Sequence, residues 1–595
     1  MTARIVPTLL SLALGAYAGQ PFSTDDWWLW HDVAEARIRP DGSSVVWVET
    51  FHDRATDTAC SNLWMIPASG KDPRRFTDGP WRDTSPRWSP DSRHLAFLSD
   101  RTGTRQIWIH GLNDPRARQI SRLDSPPLAL AWSADSTTLA YTAAIPGAAP
   151  DAPWAPPGVI PLLRRGPPRI GLFVLPLSGA APVRIPIGKL EMIGEPAWMP
   201  DGKSILISAA EPGGDLEIYA VPLSPGGARQ ITRHAGPDVD PLPSPDGSRI
   251  AWIARDARPQ NYVISKLYVA NADGSRAKVL AGAMDRDAAH IQWSSDSRTV
   301  YFLADDHGVT HIWSARADGN MRQVTKARER LSGLSLADNG RAVVVRSPGE
   351  IVTLPVDVAG AAVKLAAPNQ PLLAARQVGL SEEIHFSSAV RAIQGWIVKP
   401  PGFDRARKYP LLVDAQDSPR RMCGVEFSLR AQIFAARDFV VLCANPRGTP
   451  GYGEEFGSLL RSNDPSDPFD DLMRGADYLV DAGFIDPARV NIAGSVVAPW
   501  AIGQTERFRS AVAADPIVEF ASDPSRDVQR SPILFAADFK TPTLVIDSGA
   551  SPGAATLYGA LQSRHVESAL VRLPEAQRPS SEVLLLEAML GWMGK

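Results

Sequence analysis

A tight polar turn followed by a short apolar run recurs seven times in the first two thirds of the chain. The runs from Trp88 (WSPDSRHLAFL), Trp198 (WMPDGKSILIS) and Trp293 (WSSDSRTVYFL) are typical. Proline followed by aspartate predicts a turn, because proline sets φ and the carboxylate accepts a hydrogen bond from the backbone beyond it. The apolar run predicts a buried strand. The turn aspartates are Asp41, Asp91, Asp135, Asp201, Asp246, Asp296 and Asp338.

These aspartates are separated by 50, 44, 66, 45, 50 and 42 residues. A repeat of ~40 to 50 residues with one four-stranded sheet per unit is typical of a β-propeller. We therefore predict seven blades, with the tryptophan before several turns packed between neighbouring blades. Because the turn aspartate recurs in every unit for a folding reason, we predict that its role is structural.

The 66-residue interval holds a proline-rich insertion, PGAAPDAPWAPPGVIPLLRRGPPR, which is too long and too rich in proline for an ordinary turn. Inserted loops on a rigid scaffold often carry recognition, so Trp154, Arg164 and Arg165 are candidate ligand-facing residues. A solvated linker between two strands is the plainer alternative.

Beyond about Pro368 the pattern changes, and strand-like segments alternate with helical ones. This alternation predicts a parallel sheet covered by helices. In the helical stretch from Asp470 to Ala482, apolar residues recur on one face. The candidate strands begin at Gly395, Tyr409, Asp438, Arg489 and Thr541.

The change of pattern predicts two domains: residues 19–368 as the propeller, with a short N-terminal helix, and residues 369–595 as the α/β domain. Residues 1–18 place Arg4 before an apolar run and end in Ala-Tyr-Ala, which is typical of a secretory signal cleaved after Ala18. A buried N-terminal strand or helix is the alternative. No later apolar run reaches the ~20 residues that span a bilayer. We expect a periplasmic or secreted protein.

The net charge and the cysteine content argue against several classes of partner and site. The chain has 62 Lys and Arg against 65 Asp and Glu, a net charge of −3, which argues against a nucleic-acid partner. Three cysteines are too few for a disulfide framework or a CxxC metal site, and at most one bridge is possible, with Cys423 and Cys443 as candidates beside Cys60. There is no P-loop, dinucleotide-binding glycine motif or His/Cys cluster. We expect neither a cofactor nor a metal.

Several motifs in the last third occur in a characteristic order. YPLLV is followed by NPRGTPGYG from Asn445, DPARVNIAG from Asp486, WAIGQTERF from Trp500 and LYGAL from Leu557. The chain resembles the prolyl oligopeptidase family, in particular its acylaminoacyl-peptidase and dipeptidyl-peptidase branches. The resemblance implies a β-propeller that caps an α/β-hydrolase domain. It also implies a peptidase site with a serine nucleophile, a histidine base and an orienting acid.

The nucleophile motif of that fold, GxSxG, is altered here. The segment after the strand reads Gly494, Ser495, Val496, Val497, Ala498. Aligned on the first glycine, the nucleophile position holds Val496, and a β-branched residue is ill suited to the strained turn that presents the nucleophile. A shifted register places Ser495 there instead, without the second glycine.

The other catalytic positions also depart from the pattern that the resemblance implies. No histidine occurs in residues 566–595, and Gln577 stands where the base is expected; glutamine cannot exchange a proton near neutral pH. Asp547 is the only carboxylate after its strand and does not align with the family acid. The loop that shapes the oxyanion site corresponds to Gln416, Asp417 and Ser418, and the Asp417 carboxylate would repel an oxyanion.

These departures predict an exported pseudo-peptidase that has no catalytic residues of its own and binds a peptide or protein. One alternative is an active serine exopeptidase or oligopeptidase that uses Ser495 as a displaced nucleophile with His565 or another base. A further alternative is a protein-interaction scaffold in the cell envelope. The sequence leaves the ligand and the oligomeric state open.

Overall fold

The computed structural model describes residues 19–595 apart from 113, 115, 146–168, 259–261, 359, 389–390, 416–420, 460–464, 521–527, 550 and 574–577. The predicted signal segment lies outside the described residues, as do seven candidate site residues: Trp154, Arg164, Arg165, Gln416, Asp417, Ser418 and Gln577. No helix in the described part of the chain is long and apolar enough to cross a lipid bilayer.

Seven four-stranded antiparallel sheets form the first part of the structure, which confirms the predicted seven-bladed propeller. They are preceded by β1 (Gln20–Pro21) and a 3₁₀ helix (Thr24–Leu29). Blades 1 to 3 contain β2 (Asp32–Ile38), β3 (Ser44–Asp53), β4 (Thr58–Pro67), β5 (Arg74–Arg75); β6 (Asp83–Trp88), β7 (His94–Ser99), β8 (Gln106–Gly111), β9 (Arg118–Gln119); and β10 (Pro127–Trp132), β11 (Thr138–Ala144), β12 (Ile170–Pro176), β13 (Val183–Ile185).

Blades 4 to 7 complete the ring with the same four-stranded order in each sheet. They contain β14 (Glu191–Trp198), β15 (Ser204–Ala210), β16 (Glu217–Pro222), β17 (Arg229–Gln230); β18 (Asp238–Pro243), β19 (Arg249–Ala254), β20 (Lys266–Asn271), β21 (Lys278–Val279); β22 (Ala289–Trp293), β23 (Thr299–Asp306), β24 (Val309–Arg316), β25 (Met321–Gln323); and β26 (Leu331–Leu336), β27 (Arg341–Arg346), β28 (Glu350–Pro355), β29 (Val363–Ala366).

Tryptophans before the turns tie successive blades together, as the repeat predicts. The indole N–H of Trp88 in blade 2 donates to the carbonyl of Arg37 in blade 1 at 3.2 Å. In blade 3, Trp132 donates to the carbonyl of Arg87 at 2.9 Å. Two further tryptophans make the same bond to the preceding blade: Trp198 to Ala131 at 3.1 Å and Trp293 to Leu242 at 3.0 Å. Each ring thereby buries apolar area and satisfies its polar N–H in one contact.

The turn aspartates have the predicted structural role in six repeats. Each accepts a hydrogen bond at 2.9 to 3.1 Å from the backbone N–H two residues further on. The prediction is wrong for the seventh repeat, where the side chain of Asn339, and not that of Asp338, accepts from the N–H of Arg341 at 3.2 Å. An asparagine makes the same local turn bond, so the repeat is displaced by one residue.

The last part of the chain forms one eight-stranded sheet with helices on both faces, which confirms the α/β-hydrolase fold. Its elements are α1 (Gln370–Ala374), β30 (Arg376–Gln377), β31 (Leu380–Ser387), β32 (Ala392–Lys399), β33 (Tyr409–Asp414), α2 (Leu429–Ala435), β34 (Val440–Ala444), α3 (Glu454–Gly457), α4 (Ser466–Asp481), β35 (Ile485–Ala493), α5 (Val497–Ala501), β36 (Ser510–Ala514), β37 (Thr543–Asp547), α6 (Gly553–Ser563), β38 (Ser568–Arg572) and α7 (Pro579–Met593), with 3₁₀ turns at Val528–Arg530 and Pro532–Asp538.

The strand order of this sheet is β31-β32-β34-β33-β35-β36-β37-β38, and the strands from β34 to β38 are parallel. One face packs on α4, α5 and α6 through residues such as Leu472, Trp500 and Leu557. The other face packs on α2 and α7 through residues such as Phe434 and Met589. Because parallel strands end at the same edge, the loops that follow them are brought together there.

The segment before blade 1 packs against the hydrolase domain. β1 pairs in parallel with β30, and Phe22 lies fully buried in the core on the α2 and α7 face. The Asp26 carboxylate, which is also fully buried, accepts hydrogen bonds from Arg376 at 2.6 to 3.0 Å. The N-terminal segment therefore joins the two domains.

Blade 2 contains a buried ion pair enclosed by aromatic rings. The Asp83 carboxylate is fully buried, and the guanidinium of Arg101 donates to both of its oxygens at 2.7 and 2.9 Å. The same guanidinium lies 4.5 Å from the ring centre of Trp108 and 4.9 Å from that of Trp81. Cation–π contacts of this kind compensate part of the desolvation of the charge.

We expect Arg101→Leu to lower the free energy of unfolding of the propeller by about 3 to 5 kcal/mol, because it leaves the Asp83 carboxylate buried without a partner. Chemical denaturation followed by tryptophan fluorescence measures the change. Arg316→Leu is the matched control, since its pair with Asp318 is half exposed and is worth less than about 1 kcal/mol. Equal effects of the two variants would contradict this interpretation.

Candidate functional site

The carboxyl edge of the parallel strands faces the propeller. The turn between β23 and β24 reaches this edge: the N–H of His307 donates to the carbonyl of Gly451 at 3.1 Å, and the N–H of Val425 donates to the carbonyl of Gly308 at 3.0 Å. Gly308 has a φ of +80°, and a Cβ there would lie 2.0 Å from the ring of Trp396. Only glycine fits both requirements. The contact places the propeller over the residues that follow β33 and β34.

The predicted nucleophile segment lies at this edge, between β35 and the five-residue helix α5. Val496 has φ −114° and ψ −53°, an ordinary conformation. Neither Ser495 nor Val496 is among the described non-glycine residues with positive φ. Ser495 is 7% exposed, and its carbonyl accepts from the N–H of Ile517 at 2.8 Å. The strained turn that presents a nucleophile is therefore not formed at either residue.

The Asp547 carboxylate contacts the residues just after its own strand and the neighbouring strand β38. One oxygen accepts from the N–H of Gly549 at 2.9 Å, and the other lies 3.6 Å from Nε of Arg572 on β38. On the neighbouring loop, the Asp515 carboxylate accepts from the backbone N–H and the hydroxyl of Ser548 at 2.8 and 2.5 Å. Both carboxylates hold loops of this edge together, and the structure brings no imidazole to either of them within the described residues.

The two histidines of the hydrolase domain lie away from Ser495. His565 follows α6 and precedes β38, which places it at the opposite edge of the sheet. The five-residue strand β38 separates the two edges, roughly 16 Å at ~3.3 Å per residue. His385 lies on β31, four strands from β35 and so ~19 Å away laterally; its side chain is 60% exposed and lies 3.5 Å from Glu383. Neither histidine is placed to take a proton from Ser495.

The structure brings a different histidine to this edge, one that the sequence did not indicate. His307 belongs to the propeller, and its ring contacts the ring of Tyr452 edge-on at 4.8 Å. Its Nδ1 lies 2.6 Å from an oxygen of Asp306. The hydrogen bond with His307, supported by one from Arg286, lowers the pKa of Asp306 to about 2. No sequence signal marks this pair, because its contact with Tyr452 exists only when the two domains are docked.

The NPRGTPGYG motif that begins at Asn445 has a scaffolding role. The side chain of Asn445 accepts from the N–H of Cys423 at 2.7 Å and donates to its carbonyl and to the hydroxyl of Tyr452 at 2.9 and 2.7 Å. Cys423 is joined to Cys443 by a disulfide, as the cysteine count allowed. Tyr452 in turn donates to Gln394 at 2.5 Å, and burial raises its pKa. This network holds the chain immediately after residues 416–420.

A buried arginine fixes the rest of that motif. Arg447 donates to the fully buried Asp471 carboxylate at 2.9 and 3.0 Å and to Asp467 at 3.0 Å.

Glu426, which follows β33, is a partly buried group near this edge. Burial raises the pKa of its carboxyl group, and the positive charge of Arg330 partly offsets this rise. In the described part of the chain, no group of three or more His, Cys, Asp or Glu side chains could hold a metal ion. At the described edge, the side chains of Asn445 and Arg447 hold the loops in place.

The Asp306–His307 contact predicts acid-sensitive stability. The pKa of an ordinary aspartate is ~3.9, whereas that of Asp306 is lower in the folded protein. The Asp306 carboxylate therefore contributes fully to the free energy of unfolding above about pH 4. This contribution is lost as the pH falls towards about 2. We expect Asp306→Asn to lower the thermal midpoint at pH 7 and this difference to vanish near pH 2. Thermal unfolding measured from pH 7 to about pH 2 tests this prediction. Asp124→Asn, at an exposed position, is the control and should change the thermal midpoint by the same small amount at every pH. If the midpoint of Asp306→Asn differs from that of the unaltered protein by the same amount at every pH, the prediction is wrong.

Comparison with known proteins agrees with the two-domain fold. Residues 425–532 match the prolyl oligopeptidase family, and residues 32–149 and 182–365 match the TolB beta propeller domain. An uncharacterized peptidase of Bacillus subtilis, YuxL, is 25% identical over 91% of this chain and 94% of its own length. Dipeptidyl-peptidase 5 of Porphyromonas gingivalis is 24% identical over 78% of this chain and 73% of its own length.

Solved structures show the same two-domain fold. The acylaminoacyl peptidase of Pyrococcus horikoshii superposes with a TM-score of 0.82 at 18% identity and covers 96% of this chain and 97% of its own. A puromycin-hydrolyzing peptidase of Mycobacterium tuberculosis superposes with a TM-score of 0.75 at 16% identity, covering 97% of both chains. With its motifs in the predicted order on this fold, the chain contains a domain of the prolyl oligopeptidase family at residues 425–532.

Proposed function

We propose that this protein is an exported, non-hydrolytic member of its family that acts by binding a peptide or protein ligand. The observation that carries the proposal is the position of the imidazoles: no histidine follows His565 in the sequence, and both histidines of the hydrolase domain lie far from Ser495. Without a base to accept its proton, a serine hydroxyl is a weak nucleophile near neutral pH.

The backbone around Ser495 supports the same proposal. The nucleophile position holds Val496 in an ordinary conformation, and the carboxylates of Asp515 and Asp547 are engaged by neighbouring loops. Residues of a catalytic triad act as a unit, and removal of the nucleophile or the base alone cost roughly a million-fold in kcat in a well-studied serine protease. A site that lacks both should not turn over peptides at a useful rate.

Two observations support export. The first 18 residues have the charge, apolar run and small-residue order of a secretory signal. The disulfide between Cys423 and Cys443 is of the kind that persists in oxidising compartments. A ligand would then be met in the periplasm or outside the cell.

The names of the relatives favour a second candidate function, an active serine peptidase. The Bacillus subtilis and Porphyromonas gingivalis proteins are both named as peptidases. In this chain, such activity would have to use Ser495, with a base other than His565 or His385. The same assay separates the two candidates.

We expect the purified protein to hydrolyse peptide p-nitroanilides and acylaminoacyl substrates with a kcat at least roughly a million-fold lower than that of an active relative. It should also show no labelling by a fluorophosphonate probe. The dipeptidyl-peptidase 5 of Porphyromonas gingivalis, run in parallel, shows that the substrates and probe report activity. Labelling or turnover that disappears in Ser495→Ala would overturn the proposal and establish the active peptidase instead.

A further inference from the structure

Blade 2 and the segments that flank it form a strongly basic part of the propeller. Residues 74–122 contain ten arginines, five aspartates and no lysine or glutamate, which gives them a net charge of +5. Because the whole chain carries −3, the remaining residues carry a net charge of −8. A local excess of one sign on a protein of the opposite sign attracts partners of complementary charge to that region.

A cavity of about 770 Å³ is formed by blades 1 and 2 in this basic region. Three arginines line it: Arg39 from the turn between β2 and β3, Arg93 from the turn between β6 and β7, and Arg118 on β9. Among the described residues, Asp114 is the acidic side chain of the lining. One of its oxygens accepts a hydrogen bond from the backbone N–H of Arg116 at 3.0 Å. The lining therefore has more positive than negative groups.

Hydrogen bonds and strand pairing hold the three arginines around this one cavity. Nε of Arg39 donates to the carbonyl of Ser92, directly before Arg93, at 2.8 Å. The N–H of Leu112 donates to the carbonyl of Arg93 at 3.2 Å. Arg118 lies on β9, which pairs with β8 just before Leu112. The arginines are thus brought together by the turns and strand ends of two adjacent blades.

Two of the three guanidinium groups have no carboxylate partner. Arg39 lies 3.3 Å from a carboxylate oxygen of Asp41 and is 22% exposed, so it is held in the wall of the cavity. Within the part of the chain that the structure describes, neither Arg93 nor Arg118 forms an ion pair, and both residues are exposed. Two guanidinium groups therefore remain available to carboxylates of a ligand.

The cavity opens on the face of the propeller that points away from the hydrolase domain. The turn between β23 and β24, the second and third strands of blade 6, contacts the hydrolase domain. Arg39 and Arg93 lie in turns between the first and second strands of their blades. In an antiparallel sheet, these two kinds of turn lie at opposite ends of the strands. A ligand therefore reaches the cavity without passing between the domains.

A peptide fits this site better than a lipid surface does. Proteins that lie on a membrane combine basic residues with exposed apolar side chains. The described residues of the segment 74–122 include no exposed large apolar side chain. The cavity is concave, and its volume is within the ~300 to 1,000 Å³ that is usual for ligand pockets. Guanidinium groups pair with carboxylates in a planar, two-point geometry.

We propose that this cavity binds a peptide that carries two adjacent carboxylate side chains, with Arg93 and Arg118 as their partners and Arg39 as a fixed third cation. The proposal rests on the proposed peptide-binding function and adds a site for the acidic part of the ligand. Because the arginines are exposed, the attraction is screened by salt, and the affinity falls as the ionic strength rises.

The test is equilibrium dialysis of the full chain at neutral pH and low ionic strength with two blocked peptides. One is acetyl-Tyr-Ala-Glu-Glu-Ala-amide, and the other has Gln-Gln in place of Glu-Glu, which keeps the shape and removes both charges. We expect the neutral peptide to bind at least roughly tenfold more weakly than the acidic one. Arg93→Gln and Arg118→Gln should each weaken binding of the acidic peptide, and the double variant should bind both peptides equally.

Arg105→Gln is the matched control, because it removes the same charge from an exposed position at the other end of blade 2 and should leave the preference for the acidic peptide unchanged. Arg93→Lys with Arg118→Lys should restore part of that preference, which separates loss of charge from loss of folding. Equal binding of the two peptides by the unaltered protein, or a preference that survives in the double Gln variant, would overturn the cavity site while leaving peptide binding intact.

Mass spectrometry of the dialysed peptides separates failure of this site from failure of the proposed function. Cleaved peptide that is absent from the Ser495→Ala variant would overturn the non-hydrolytic function, whether or not the protein prefers the acidic peptide. Intact peptides with no binding of either one would overturn the cavity site.

Discussion

The docking of the propeller turn at Gly308 onto the carboxyl edge of the hydrolase sheet is the contact on which the rest of the arrangement depends. The turn hydrogen-bonds to the chain after β33 and after β34, and no side chain larger than hydrogen fits beside Trp396. Because the parallel strands end at this edge, the contact places the propeller over the residues that follow β33 and β34. It also places His307 against Tyr452, far from its own neighbours in the sequence.

Buried carboxylates in both domains are compensated by a guanidinium in direct contact. Asp83 with Arg101, and Asp471 with Arg447, are buried carboxylates with a guanidinium in contact. Such pairs are strongly destabilising to break, because the remaining charge stays in the protein. On the inner strands of the propeller, Arg87 on β6 lies 2.5 Å from Glu195 on β14 and 3.5 Å from Glu35 on β2.

Much of the fold follows from local features of the sequence. The turn aspartates, the tryptophans before them and the apolar runs act within one repeat, and a repeat can be recognised without knowing its neighbours. The displacement at Asn339 is an exception, because asparagine and aspartate make the same turn bond. In the last third, the predicted strands correspond to β32, β33, β34, β35 and β37 and the predicted helix to α4, since buried strands and amphipathic helices carry a strong apolar pattern.

The sequence by itself determined the seven blades, the α/β-hydrolase domain, the resemblance to the prolyl oligopeptidase family and the absence of histidine from residues 566–595, because each is a matter of residue identity or of short-range periodicity. Only the tertiary structure decided the ordinary backbone of Val496, the pairing of Asp306 with His307 at the domain interface, and the contacts of Arg87 with carboxylates of two other blades. Those features arise where strands from distant repeats meet, and a linear pattern carries no information about such contacts.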